Sequence, residues 1–315
     1  MVQHAVQNIV SSGAAPQGGV LALGNFDGVH RGHQAVLQAA LAYASEQGLP
    51  ARVLTLEPHP RSLLSAPQKP FRLTPASVKN RLLQAMGIDD IITLNFSPDF
   101  AQQSAKDFVE QILVQHYHAK HVVAGANFVF GHERAGTMPQ MKEWLKPHGI
   151  GVTVVPPLLD DKGQPISSSL VREVLQKGNL DKVRELLGRP WSISGIIVRG
   201  AKRGSVIGIP TANMELGDYA RPPHGVYAVM ARRVGSEKAL PGVANIGTRP
   251  TVGSVREMLE FHVFQPQSDL YDQEWEVALY HFLRPEETFS SLEALQEQIR
   301  ADMEMARVKL GTAHA

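Results

Sequence analysis

Apolar residues in the first 190 positions alternate between short unbroken runs and longer stretches where they recur every three or four residues. The runs Val20 to Leu23, Arg52 to Leu56, Ile91 to Leu94, His121 to Ala124 and Val152 to Val155 predict five strands. Between the first two, Val36, Leu37, Ala40, Leu41 and Ala44 predict an amphipathic helix stopped by Gly48 and Pro50. A second carries Val78, Leu82, Leu83 and Met86, with Thr74 as N-cap, Pro75 at the first turn and Gly87 as the stop. Ser104 with Asp107 opens a third through Phe108, Val109, Ile112 and Leu113, and another covers Met138 to Leu145. Strands alternating with helices predict an open parallel sheet with right-handed crossovers, and such sheets bind ligands at the carboxyl ends of their strands.

Past Asn179, a short helix Leu180 to Leu187 ends at Gly188-Arg189-Pro190, and the period changes to two. Ile193 to Val198, Val226 to Met230, Leu259 to Phe264 and Trp275 to Tyr280 read as strands between Gly, Pro and Asp clusters. Leu292 to Leu310 reads as a helix capped by Ser290 or Ser291. The expectation is an α/β domain over residues 1–187 and a small antiparallel β-barrel with a C-terminal helix over 188–315. Residues 1 to about 18 form a lead-in.

Composition narrows the function classes. The chain has 315 residues, no cysteine and a net charge of +1, which excludes disulfides and thiolate chemistry and argues against a general nucleic-acid or membrane-surface binder. No Lys or Arg occurs in the first twenty residues, and no apolar run approaches the roughly 18 residues of a membrane helix. The expectation is a cytoplasmic enzyme acting on small molecules, as a monomer or a homo-oligomer.

The candidate chemistry sits where the parallel-sheet rule puts it, after strands. Gly24-Asn25-Phe26-Asp27-Gly28-Val29-His30-Arg31-Gly32-His33 follows the first strand and opens a helix, a glycine-rich turn whose N–H groups can approach phosphate. Its glycine spacing is neither the dinucleotide nor the P-loop fingerprint. Thr55-Leu56-Glu57-Pro58-His59-Pro60 follows the second strand, Gly125-Ala126-Asn127-Phe128-Val129-Phe130-Gly131 the fourth, and Ile166-Ser167-Ser168-Ser169-Leu170-Val171-Arg172 the fifth. The serines are ordinary N-cap residues or part of an anion clamp with Arg172. Phe128 and Phe130 are candidates for the core, and His59 for a turn. In the second half, Arg199 to Asn213 is a basic glycine-rich loop ending in Thr211 and Asn213, whose neutral oxygens suit magnesium. Alternation turns Glu260 away from the face of Leu259, Phe261 and Val263, as a solvated glutamate or as a base for an attacking hydroxyl.

The first motif resembles the signature of the HxGH nucleotidylyltransferases, whose two histidines bind nucleotide phosphates and stabilise the charge that develops at the α-phosphate. All four N-terminal motifs, in order, resemble the prokaryotic bifunctional riboflavin kinase/FAD synthetase family. Gly208-Ile209-Pro210-Thr211-Ala212-Asn213, Pro223 to Tyr227, Val243 to Thr251 and Phe282 to Glu286 extend that resemblance to about residues 19–305. It implies ATP, riboflavin, FMN and FAD as substrates or products, and magnesium as metal. It further implies that His30, His33, Asn127, Ser168, Ser169 and Arg172 act on ATP, with Gly24, Phe26, Asp27, Gly28, Gly32 and Phe130 shaping the nucleotide and flavin sites. In the barrel it implies Thr211 and Asn213 at Mg-ATP, Gly204, Gly208, Asn245 and Arg249 in binding, and Glu260 as the base. Pro165 stands where many members carry a basic residue, leaving Arg172, Arg134 or magnesium to offset the triphosphate. The family's tail motifs are altered at Phe264-Gln265-Pro266 and Asp269-Leu270-Tyr271-Asp272. Two other readings are a nucleotidylyltransferase for another substrate with an accessory barrel, and a non-catalytic flavin-binding regulator.

Overall fold

The computed structural model describes residues 18–64, 70–198, 211–251, 254–265 and 270–311. The chain divides into two compact units, Met1–Lys69 with Thr74–Ser168, and Pro70–Leu73 with Ser169–Ala315. Among the described residues no helix is long and apolar enough to cross a membrane.

In the first unit, β1 (Val20–Leu23), β2 (Ala51–Glu57), β3 (Asp90–Asn95), β4 (His121–Gly125) and β5 (Gly151–Val155) form a wholly parallel sheet in the order β3-β2-β1-β4-β5. Both faces are covered, so alternate residues of one strand enter different cores. Leu21 and Leu23 pack with Phe108, Ile112 and Met141, whereas Val20 and Ala22 pack with Val36, Leu37 and Ala40 of α1 (Arg31–Gln47). The strand order reverses between β1 and β4, and the crevice at their carboxyl ends is where such a sheet accepts a ligand. The Gly24–His33 and Gly125–Gly131 loops leave from those ends.

Helix α2 (Ala76–Ala85) starts one residue later than the sequence predicts. Pro75 occupies the cap position, and no side chain caps the helix. The Thr74 hydroxyl is used elsewhere, accepting the Gly28 N–H at 2.8 Å. Ser104 does cap its helix, but the turns that follow, Phe108–His116, are π-helical. Helix α3 (Met138–Leu145) begins at Thr137 with a capping box to Gln140.

The second unit contains β6 (Trp191–Ile196), β7 (Ala212–Glu215), β8 (Gly225–Arg233), β9 (Leu240–Thr251), β10 (Ser254–Val263) and β11 (Glu274–Arg284). They pair antiparallel in the order β6-β11-β8-β9-β10-β7, and a bridge from Val198 to Asn213 brings the ends together into a barrel. Strands β7 and β9 were not predicted: β7 is short and follows a glycine-rich loop, and β9 carries Pro241, Gly242, Gly247 and Pro250. Pairing with β8 on one side and β10 on the other overrides those local breakers.

Helix α4 (Ser168–Gln176) opens at the last residue of the first unit and continues in the second. Helix α5 (Leu180–Leu187) runs from an Asn179 cap to a left-handed Gly188 and packs on β6 and β11. Helix α6 (Leu292–Lys309), capped by Ser291, lies on β8, β9 and β11, held by a two-pronged ion pair from Arg284 to the buried Asp302.

Candidate active sites

In the first unit the loop after β1 is fixed from three directions. The Asp27 carboxylate accepts the Thr74 N–H at 2.9 Å, and the Thr74 hydroxyl accepts from Gly28, closing a small ring of bonds between loop and α2 entrance. The Ser168 hydroxyl donates to the Asp27 carbonyl at 2.8 Å. The Thr55 hydroxyl, fully buried in β2, donates to the Asn25 carbonyl. Under these restraints Phe26 and Val29, neither a glycine, take φ of 51° and 41°. Backbone in this left-handed region persists where surrounding contacts over-determine it, and it concentrates at functional sites.

His30 is the N-cap of α1, its Nδ1 accepting the His33 N–H at 3.2 Å. With Nδ1 as acceptor, the neutral ring carries its proton on Nε2, which becomes the donor for a charged oxygen. The His30 and His33 rings stack with centroids 3.6 Å apart, and Phe26 packs edge-on against His33. A Cβ on Gly32 would stand 3.1 Å from the Ile166 carbonyl and 3.2 Å from the His30 ring. Gly24 is similarly confined, by the Phe26 ring at 3.1 Å.

Beside this loop lies a cavity of about 800 Å³ whose walls include Gly24, Asn25, Leu56, Phe100, Phe128 and Phe130. Phe130 is both wall and core: it is buried, touching Phe108, Phe128 and Trp144. Asn127 is exposed on the same loop. His59 shapes the turn after β2, its Nδ1 accepting the Arg61 N–H.

The predicted Ser-Ser-Arg clamp is spread over different tasks. Ser168 ties down Asp27, Ser169 is exposed, and Arg172 is buried, donating to the Phe71 carbonyl at 2.7 Å and stacking on the Phe71 ring. Lys79 was not predicted at all. Only 1 % exposed, it donates to Thr55 at 3.0 Å and to the Glu57 carboxylate at 2.7 Å. Its position in α2 carries no local signal, because its partners lie 22 and 24 residues earlier.

In the second unit the sheet register assembles a row. Glu260 of β10 lies directly opposite Asn213 of β7 on one side and Asn245 of β9 on the other. Directly paired residues project to the same face, so three separately predicted residues share it. Asn213 is 4 % exposed and Glu260 half-buried, whereas Leu259 and Phe261 face the barrel core. Thr211 precedes Asn213 by two and is partly buried. Glu286 joins the row by accepting from the Asn245 amide at 3.0 Å, and a Cβ on Gly247 would run into its carboxylate. Gly204, Gly208, Pro266 and Asp269 lie outside the described residues, as does the Arg249 side chain.

Two family models match in succession, one described as FAD synthetase over residues 13–170 and one described as riboflavin kinase over 187–310. Bifunctional riboflavin kinase/FMN adenylyltransferase from Escherichia coli K12 is 40% identical over 307 residues, covering 97% of each chain. The chain belongs to the bifunctional riboflavin kinase/FMN adenylyltransferase family. Relatives of the same description from Haemophilus influenzae and Bacillus subtilis are 39% and 37% identical, over 92% and 91% of this chain and 94% and 91% of their own. A crystal structure described as a macrolide-efflux protein from Streptococcus pneumoniae superposes with a TM-score of 0.83 at 30% identity, covering 96% of each chain.

In this family member a charged network lies at the barrel end beside the row. Glu257 accepts from Arg221 at 2.6 Å and pairs with His224 at 3.2 Å, and His224 approaches Glu286 at 3.9 Å. Burial pushes the Glu257 carboxyl up, but hydrogen bonds and charge from Arg221 and His224 outweigh it and hold the group below the ordinary carboxylate range. A lowered folded-state pKa contributes stability above the unfolded value, about 4.3 for glutamate, and loses it as pH falls through the folded value. Glu257→Gln is therefore expected to melt below the parent at about pH 7, with the gap closing as the pH falls below the unfolded value and through the lowered folded one. A gap independent of pH in melting curves of both proteins would remove Glu257 as its source.

Proposed function

We propose that the second unit phosphorylates the ribityl 5′-hydroxyl of riboflavin with ATP to give FMN. The first unit then joins AMP from a second ATP to the FMN phosphate, giving FAD and pyrophosphate. The observation that carries this reading is that one chain holds, besides the HxGH loop and its aromatic cavity, the Asn213–Glu260–Asn245 row. We place the functional boundary at residues 187/188, where the riboflavin kinase match begins, past the end of the FAD synthetase match at residue 170.

In the kinase unit Glu260 takes the proton from the attacking hydroxyl. Asn245, held by Glu286, orients that carboxylate's surroundings. Thr211 and Asn213 offer neutral oxygens, a donor set that fits magnesium shared with the phosphates of ATP. Bound there, the ion would offset charge on those phosphates, and the remaining task of the protein is positioning. In the adenylyltransferase unit an oxygen of the FMN phosphate attacks the α-phosphorus of ATP, and pyrophosphate leaves. His30 and His33 donate to the oxygens on which charge develops. Gly24, Gly28 and Gly32 let the backbone and the helix N-terminus come close to the phosphates, and Phe130 packs near the flavin ring. Asn127 holds phosphate from the facing loop. Ser169 and Arg172 are the remaining residues that this reading assigns to ATP.

Purified chain incubated with magnesium, ATP and riboflavin is expected to yield FMN and then FAD by chromatography. Absence of FMN sinks the kinase assignment. Absence of FAD when FMN is supplied directly sinks the adenylyltransferase assignment.

A further inference from the structure

The ammonium of Lys79 is buried, linked through Thr55 to the loop after β1, and the chemistry above makes no use of it. Burying a lysine is costly unless its charge is matched and its hydrogens are accepted. Here the Glu57 carboxylate at 2.7 Å supplies the charge and the Thr55 hydroxyl at 3.0 Å a second acceptor. A hydroxyl has one hydrogen to give, and Thr55 gives it to the Asn25 carbonyl. The three groups thus form a directed chain, ammonium to hydroxyl to carbonyl, in which each bond polarises the next.

The end of that chain matters because a trans peptide is planar, with its C=O and N–H pointing in opposite directions. Holding the Asn25 carbonyl down against β2 turns the N–H of the same peptide, that of Phe26, away from the sheet. Among the described residues this N–H has no hydrogen-bond partner. Phe26 keeps a left-handed φ of 51°, and Asn25 lines the cavity. An N–H held in place without a partner, at the third residue of a phosphate loop, is a preorganised donor for an anionic oxygen.

We propose that Lys79 is a positioning residue for adenylyl transfer, holding the Asn25–Phe26 peptide through Thr55 so that the Phe26 N–H is presented to a phosphate oxygen of the nucleotide. The inference rests on reading the first unit as the adenylyltransferase. FAD formation by the parent protein tests that reading separately from the variants below.

The test uses the full-length chain and steady-state FAD formation from FMN and ATP. Thr55→Val removes the relaying hydroxyl, and Thr55→Ser keeps it. Lys79→Met is made in a Glu57→Gln background, so that no unpaired carboxylate is buried, and is compared with Glu57→Gln alone. Thr55→Val is expected to lower kcat about 10- to 100-fold, with KM for ATP and FMN within about threefold of the parent. Thr55→Ser stays within about threefold in kcat, and Lys79→Met costs a similar factor to Thr55→Val relative to Glu57→Gln. Because the groups act in series, adding Thr55→Val to Lys79→Met/Glu57→Gln lowers kcat no further. Melting curves and riboflavin phosphorylation by the same preparations report folding. A folded Lys79→Met/Glu57→Gln protein with the kcat of Glu57→Gln overturns the proposal, as do losses that multiply. Should the lysine variants not fold, Thr55→Val decides: a parental kcat overturns the proposal, and the loss with rescue by serine supports it.

Discussion

Replacing His30 by asparagine is expected to lower FAD formation from FMN by about 100- to 1,000-fold, the usual cost of losing one donor to developing charge. Riboflavin phosphorylation by the same protein should continue at the parental rate. Asparagine is the informative replacement because His30 has two tasks. Its Nδ1 caps α1 by accepting the His33 N–H, and on the function proposed above the proton on its other nitrogen serves the phosphates. Asparagine is among the best capping residues, so it keeps the first task and loses the second. Alanine would remove both and add about 1 kcal/mol of lost capping, mixing stability with chemistry. Kinetics of each step on one preparation, with FMN supplied for the second, check the outcome. A His30→Asn protein that adenylylates FMN at the parental rate would show that the stacked pair contributes nothing beyond the cap.

The second large effect is expected in the barrel. Glu260→Gln should reduce riboflavin phosphorylation about 100- to 10,000-fold, the range for losing a general base, and leave FAD formation from supplied FMN unchanged. The amide is nearly isosteric and takes the same place opposite Asn213 and Asn245 in the sheet register. What it cannot do is accept a proton at neutral pH. The loss should therefore appear mainly in kcat, because an interaction made only in the transition state lowers kcat and kcat/KM together. Conversion of riboflavin followed by chromatography measures it. Equal damage to both reactions from His30→Asn and from Glu260→Gln would dissolve the assignment of two separate sites.

Other parts of the molecule behaved differently under sequence reasoning, and the difference tracks contact distance along the chain. The strand, turn and helix around Gly24 to His33 are legible because their causes are local: an apolar run, closely spaced glycines and a capping side chain three residues from its partner. The same holds for Leu180–Leu187 between Asn179 and Gly188, and for Ser291 before α6. Thr74 misleads for the opposite reason. Its sequence context is that of an N-cap, but a partner 46 residues away in the buried loop takes the hydroxyl. Arg172 likewise has a partner that the sequence does not announce, a carbonyl 101 residues away.

By itself the sequence determined the kind of chemistry and the two kinds of fold. Hydrophobic period separates a parallel α/β sheet from an antiparallel barrel, and the residue types in the motifs are those that phosphate and proton transfer need. Only the tertiary structure decided how those residues are held. Register across β7, β10 and β9 put Asn213, Glu260 and Asn245 side by side, and Glu286 entered because Gly247 leaves room for it. Packing of α2 against β2 placed the Lys79 charge beneath the loop. Such arrangements follow from strand pairing and burial between distant segments, which leave no periodic mark on the residues that they bring together.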